Sequence, residues 1–362
     1  MPEIYATADL STQHLASFDD ILDVRSEAEF AEDRLPGAWN LPVLNNAERA
    51  RIGTIYVQES SFLARRMGAS IAARNIARFV ETSLADKAKS WRPLIYCWRG
   101  GMRSRSLALI LSEIGWRCAL VDGGYKRWRR MVISDLEGGE ERLPVVLLDG
   151  QTGAGKTRLL QAIADLGGQV IDLEGLASHR GSAFGALTSS PQPGQKLFET
   201  LIYDKISRFA PGRPIFVEAE SRQVGRLRIP TRLWRSMETA ERVEIDTPTD
   251  VRMLHILEIY SEMREHPAVL LEAIERLRPL HPRERTEHWL RLAAGGEHAA
   301  LVRELIEHHY DPLYERLRAG AGPSRAGWRR VALPSLDQGD VASAARFLLA
   351  TFEDRGRTCP PG

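Results

Sequence analysis

The stretch Tyr96-Cys97-Trp98-Arg99-Gly100-Gly101-Met102-Arg103-Ser104 places one thiol, two guanidinium groups and two adjacent glycines between an apolar run and an apolar helical face. A loop of this kind turns its backbone N–H groups and the N-terminus of the following helix toward one point, which then binds an anion. Gly100 and Gly101 let the loop close without side-chain collision. Arg99 and Arg103 add positive charge that favours the thiolate, so Cys97 is expected to be a nucleophile toward an electron-poor, transferable group. Trp98, Met102 and Ser104 complete the loop. Cys118 lies in an apolar setting and reads as structural, and Cys359 lies near the end of the chain.

A second constellation, Gly150-Gln151-Thr152-Gly153-Ala154-Gly155-Lys156-Thr157, fits the G-x-x-x-x-G-K-[ST] pattern at every position. It follows the apolar run Val145–Leu148 and precedes a helical pattern, the context a phosphate-binding loop requires. Backbone amides of Gly150, Thr152, Gly153, Ala154 and Gly155 would cradle a di- or triphosphate, Lys156 would supply a point charge, and the Thr157 hydroxyl is placed for Mg²⁺. The acidic partner for that ion would lie in Pro214-Ile215-Phe216-Val217-Glu218. No base-recognition motif for ATP or GTP is evident, so a non-nucleotide diphosphate fits as well. No protein-ligated metal site and no tightly bound cofactor are expected.

The elements that must carry these loops are legible from periodicity. Ile21–Val24, Leu94–Tyr96 and Ala119–Val121 read as strands, and Phe62–Val80 reads as a helix. Leu107, Ile110, Leu111 and Ile114 form one face of another helix. Alternation of strand and helix implies a parallel or mostly parallel sheet. The polar stretch Asp135–Arg142 reads as a linker, and a second β/α series begins at Val145. Its further strands are expected at 169–172, 214–218, 243–246 and 330–333, with a helical block over about 249–318 broken by Pro267, Pro279, Pro282 and Gly295-Gly296. The expected domains are 1–136, a linker over 137–142, and 143–362.

With 362 residues, 43% hydrophobic and 27% charged, the chain can bury two cores and is neither fibrous nor disordered. It has no run approaching the ~18 apolar residues of a membrane span, and Met1–Leu10 shows no export pattern. Three cysteines fit no disulfide or metal framework, so a reducing, cytoplasmic setting is expected. A net charge of +1 confines any nucleic-acid surface to local patches, for which Lys126, Arg127, Arg129 and Arg130, or Arg222, Arg226, Arg228, Arg232 and Arg235, are candidates. A monomer is compatible with the sequence. A phosphatase-like enzyme with a regulatory nucleotide domain and a non-catalytic ATP-binding signalling module stand as alternatives.

Asp23-Val24-Arg25-Ser26-Glu27-Ala28-Glu29-Phe30 and Leu35-Pro36-Gly37-Ala38-Trp39-Asn40-Leu41-Pro42 resemble the signature of rhodanese-like domains, over roughly residues 10–135. The Cys-x5-Arg spacing is one residue longer than the usual sulfurtransferase loop. It is similar to that of rhodanese-fold phosphatases, so the resemblance implies a phosphate-bearing donor. The succession of cysteine loop and phosphate loop resembles the tRNA 2-selenouridine synthase family along nearly the whole chain. Further matching segments are Gly53–Tyr56, Ala64–Ala69, Asp172–Ser182, Glu218–Gly225 and His309–Tyr314.

That resemblance implies an α/β protein with a rhodanese-like domain, then a P-loop NTPase-like parallel α/β domain with a helical C-terminal region. It also implies a tRNA-modifying transferase acting on wobble 2-thiouridine at U34. The thiocarbonyl would first be S-alkylated with geranyl diphosphate, and the alkylated sulfur then replaced by selenium from selenophosphate, carried on Cys97 as a selenyl-sulfide. Further site candidates on the matching segments are Gly68, His179, Arg180, Glu218, Glu220, Ser221 and Arg222. The phosphate loop would hold the diphosphate of the prenyl donor or, alternatively, a tRNA phosphate.

Overall fold

The computed structural model describes residues 4–139, 141–179, 191–259, 261, 267–319 and 328–356. They form two compact units: residues 1–139 with 193–208, and residues 140–192 with 209–362.

The first unit is built on five parallel strands in the order β1-β5-β4-β2-β3: β1 Tyr5–Thr7, β2 Asp20–Asp23, β3 Ala38–Asn40, β4 Pro93–Tyr96 and β5 Ala119–Val121. Every residue of β4 is buried, as the central strand of a sheet covered on both faces must be. Leu22, Val24, Ile76, Ile95, Leu107 and Leu111 pack into one core, closed by an edge-on contact of Trp91 with Trp116. The helix Ser61–Glu81 begins with the Ser60 hydroxyl accepting from Leu63 N–H and buries Ile71, Ile76 and Phe79.

Two expectations change here. The helix Gly124–Gly138 runs through the start of the presumed linker, because Trp128, Val132 and Leu136 recur four residues apart and are all buried. The segment 193–208, which falls inside the expected second domain, groups with the first unit. Its helix Gln195–Ser207 sets Tyr203 edge-on to Trp128 and Glu199 against Arg129. The short strands β1 and β3 carry no periodic signal long enough to have been anticipated.

The second unit has five parallel strands in the order β12-β11-β6-β8-β7: β6 Val145–Asp149, β7 Gln169–Ile171, β8 Ile215–Glu218, β11 Glu241–Asp246 and β12 Arg329–Ala332. A two-stranded antiparallel hairpin, β9 Gln223–Val224 with β10 Leu227–Arg228, follows β8. The helices Lys156–Asp165 and Gln338–Gly356 contribute Leu159, Leu160, Ile163, Ala345 and Leu348 to the core over β6. The helical block is present among the described residues: Pro279 lies in the 3-10 turn Arg278–Leu280, Pro282 caps the helix Arg283–Ala294, and Gly295 ends it. Leu270, Ile274, Trp289, Leu301 and Tyr310 give this block a core of its own. No described helix is long and apolar enough to cross a membrane.

Candidate functional site

Cys97 leaves the carboxyl end of β4, between the ends of its neighbours β2 and β5. Its side chain is buried, and Sγ accepts hydrogen bonds from Gly101 N–H and the Ser104 hydroxyl, both at 3.2 Å. Ser104 lies in the first turn of the helix Met102–Ile114, so the sulfur faces that helix's positive end. The loop rests on the turn after β5. Tyr125 N–H donates to Cys97 O (2.9 Å) and Lys126 N–H to Trp98 O (3.1 Å). Gly124 makes this approach possible: its φ is +57°, and a Cβ there would lie 2.3 Å from Cys97 O. The Trp98 ring packs against Tyr125, whose hydroxyl donates to Asp33 at 2.8 Å. Arg25 underpins that ring at 4.0 Å while its guanidinium donates to Asp23 and to the Asp33 carbonyl, both at 2.6 Å.

The charged rim differs from expectation. The sulfur's two partners are an amide and a hydroxyl, whereas Arg103 donates to Glu29 at 2.8 Å. Arg49 joins the same carboxylate at 2.9 Å. Burial alone would push Glu29 up, but Arg103 and Arg49 hold it below the usual carboxylate range. Arg99 is exposed, as is Met102.

In the second unit the loop 150–157 joins β6 to the helix Lys156–Asp165. Asp149, at the end of β6, accepts from Gly150 N–H (2.8 Å) and the Tyr314 hydroxyl (2.7 Å) and pairs with Arg242 at 3.0 Å. Arg252 is buried, donating to Thr152 O (2.9 Å), to Gln151 Oε1 (2.8 Å) and to Asp311 (2.6 Å). Gly155 has φ +85°, and a Cβ there would lie 2.4 Å from the Leu336 side chain. Lys156 Nζ donates to Gly150 O at 2.9 Å.

An acidic group faces this lysine from the neighbouring strand ends. Glu174, just after β7, and Glu220, just after β8, share a side-chain hydrogen bond, and the Lys156 charge acts on both. Burial, then the charge of Glu220, pushes Glu174 up to about 8, and burial also raises Glu220. Glu218, the position expected to face Mg²⁺, is fully enclosed. Its Oε1 accepts from Glu174 N–H at 2.7 Å, and burial together with Glu174 and Asp172 raises it well above the carboxylate range. Enclosed in this way, Glu218 presents no exposed oxygen to the phosphate loop. Among the described residues no cluster of three His, Cys, Asp or Glu is arranged to hold a metal ion.

Residues 7–131 match the profile of the Rhodanese-like domain, and residues 143–278 match that of the tRNA 2-selenouridine synthase AAA domain. A tRNA 2-selenouridine synthase from Chromohalobacter salexigens is 34% identical over 320 residues, 81% of this chain and 86% of that protein. One from Alcanivorax borkumensis is 32% identical over 91% of this chain and 94% of its own length. The chain belongs to the tRNA 2-selenouridine synthase family. The stretch shared with the Nitrosomonas europaea member, 35% identical, covers 66% of this chain and 63% of that relative.

On this synthase-family scaffold the sequence candidates fall unevenly. Trp98, Gly100, Gly101 and Ser104 surround Cys97, and residues 150–157 follow β6 and lead into the helix Lys156–Asp165. Gly68 packs its helix against Ile52, which a Cβ would meet at an ordinary 3.6 Å. Ser221 and Arg222 lead into the β9–β10 hairpin, where the Ser221 hydroxyl donates to Gln223 O at 2.6 Å. His179 follows the helix Leu173–Ala177, and burial lowers its pKa. Arg180 lies outside the described residues. Sequence reasoning passed over Glu29, Gly124, Glu174, Arg252 and the roles of Asp311 and Tyr314. Glu29, Glu174, Asp311 and Tyr314 all stand inside the family-like segments, and Gly124 stands in the Asp122-Gly123-Gly124 turn that follows β5.

Proposed function

We propose that this chain converts the wobble 2-thiouridine of tRNA to 2-selenouridine, first S-geranylating it with geranyl diphosphate and then exchanging sulfur for selenium from selenophosphate. The observation that carries the reading is the Cys97 sulfur held by Gly101 N–H and Ser104 O–H at a helix N-terminus, in a chain whose relatives bear the synthase name. S-alkylation comes first because a thiocarbonyl sulfur leaves poorly, whereas an S-alkyl group makes C2 electrophilic and departs as a thiolate.

In the second step the Cys97 thiolate attacks selenium. The S–Se bond forms, the Se–P bond breaks, and its electron pair leaves with phosphorus, so phosphite is the by-product. The loop amides and helix N-terminus stabilise the anionic donor, with Arg99 and Arg103 at the rim. The cysteine-bound selenium then attacks C2 and expels geranyl thiolate. Two equivalents of an external thiol reduce the S–Se bond, releasing 2-selenouridine and regenerating Cys97. In the second unit the amides of residues 150–157 and Lys156 hold the prenyl diphosphate and stabilise departing diphosphate.

Mass spectrometry of nucleosides from 2-thiouridine-containing tRNA tests the reading. Geranyl diphosphate alone should give the S-geranyl nucleoside, and added selenophosphate with thiol should give the seleno-nucleoside. Absence of both products would remove it.

A further inference from the structure

S-alkylation of a 2-thiouracil base leaves a proton to be disposed of. As sulfur bonds to the prenyl C1 and the C1–O bond breaks toward diphosphate, the N3–H proton must depart so that N3=C2 can form. The loop 150–157 supplies one cation, Lys156, and backbone amides for the leaving group but no base. We propose that the paired carboxyl groups of Glu174 and Glu220 are the proton acceptor of prenyl transfer, Glu220 taking the N3 proton while Glu174 hydrogen-bonds to it. The inference rests on the phosphate loop holding the prenyl diphosphate.

The placement follows from the sheet. β6, β8 and β7 are adjacent and parallel, so the phosphate loop, Glu220 and Glu174 all emerge at one carboxyl edge, the edge where open α/β sheets bind ligands. Both residues are partly exposed, and the Lys156 charge acts on each. A single positive charge beside two hydrogen-bonded carboxyl groups favours one ionised and one protonated member.

Glu218 points to a ligand independently. It is fully buried, it fixes Glu174 through the 2.7 Å bond to its N–H, and its Oε2 has no hydrogen-bond partner among the described residues. A buried polar atom left unmatched beside two partly accessible carboxyl groups is the mark of a site completed by substrate. The charged groups acting on the pair are Lys156, Asp172 and Asp149.

The test is single-turnover prenylation of 2-thiouridine-containing tRNA by Glu220→Gln, with geranyl diphosphate affinity measured alongside by calorimetry, with and without Mg²⁺. The expected result is a rate lowered ~100-fold or more, the scale of a lost general base. Affinity for geranyl diphosphate should be unchanged or tighter, because a negative charge beside Lys156 has gone. Glu220→Asp should recover part of the rate. Wild-type rate in Glu220→Gln overturns the proposal, and so does weakened geranyl diphosphate binding, which would make Glu220 a metal-binding or structural group. A wild-type protein that forms no S-geranyl nucleoside would instead overturn the underlying functional reading.

Discussion

Arg252 Nη2 lies 2.6 Å from Asp311 Oδ1, and this ion pair ties the helical block to the phosphate loop, since the same guanidinium donates to Thr152 O and Gln151 Oε1. Removing the buried Arg252 leaves the partly exposed Asp311 without its partner and two loop acceptors unmatched, at a cost of about 1–3 kcal/mol. Arg252→Met should lower the denaturation midpoint accordingly and weaken geranyl diphosphate binding roughly tenfold by loosening the loop. Chemical denaturation and titration calorimetry would measure the two effects separately.

Lys156→Ala should lower prenylation by roughly 100-fold or more, because it removes the phosphate loop's own side-chain cation, which the proposal places on the departing diphosphate. The S-geranyl nucleoside, quantified over time by mass spectrometry, reports this directly. An unchanged rate would reassign the loop to another phosphate.

Ser104→Ala deletes the hydroxyl that donates to Cys97 Sγ and leaves Gly101 N–H in place. The rate of selenium incorporation into S-geranyl tRNA should fall roughly tenfold, the scale of one lost donor to a sulfur anion. Single-turnover kinetics at saturating selenophosphate would measure it, and an undiminished rate would show that the amide suffices.

His309 sits in a π-helical turn, Ile306–Tyr310, against His281 at 2.9 Å. Burial, then His281 and Arg316, pushes it from the usual 6.5 down to about 4. Its neutral form is therefore the native one. The unfolded chain takes up the proton first as pH falls below about 6.5, and stability drains away until pH reaches about 4. Allowing for partial solvent screening, the loss is about 2 kcal/mol. Calorimetric unfolding between pH 7.5 and 4.5 should show a flatter pH dependence in His309→Gln than in the wild type.

Both loops and most strands were legible because each rests on a local signal: β4 and β6 are continuous apolar runs, and 150–157 is a contiguous motif. What escaped is carried by contacts distant in sequence. Arg103 bonds Glu29 across 74 residues, and Arg252 reaches a loop 100 residues earlier. The Glu174–Glu220 pair exists only because β7 and β8 lie side by side. The linker was misjudged at Asp135–Gly138, where polar residues disguised a helix whose buried face needs only Leu136 to continue it.

The central claim is that Cys97 carries the selenium. The most direct measurement is the yield of seleno-nucleoside from S-geranyl tRNA, selenophosphate and thiol with Cys97→Ser, its fold checked against the wild type by circular dichroism. The account predicts no 2-selenouridine above background and no phosphite by phosphorus NMR, where the wild type gives both. Wild-type yield of the seleno-nucleoside from the serine variant would contradict it.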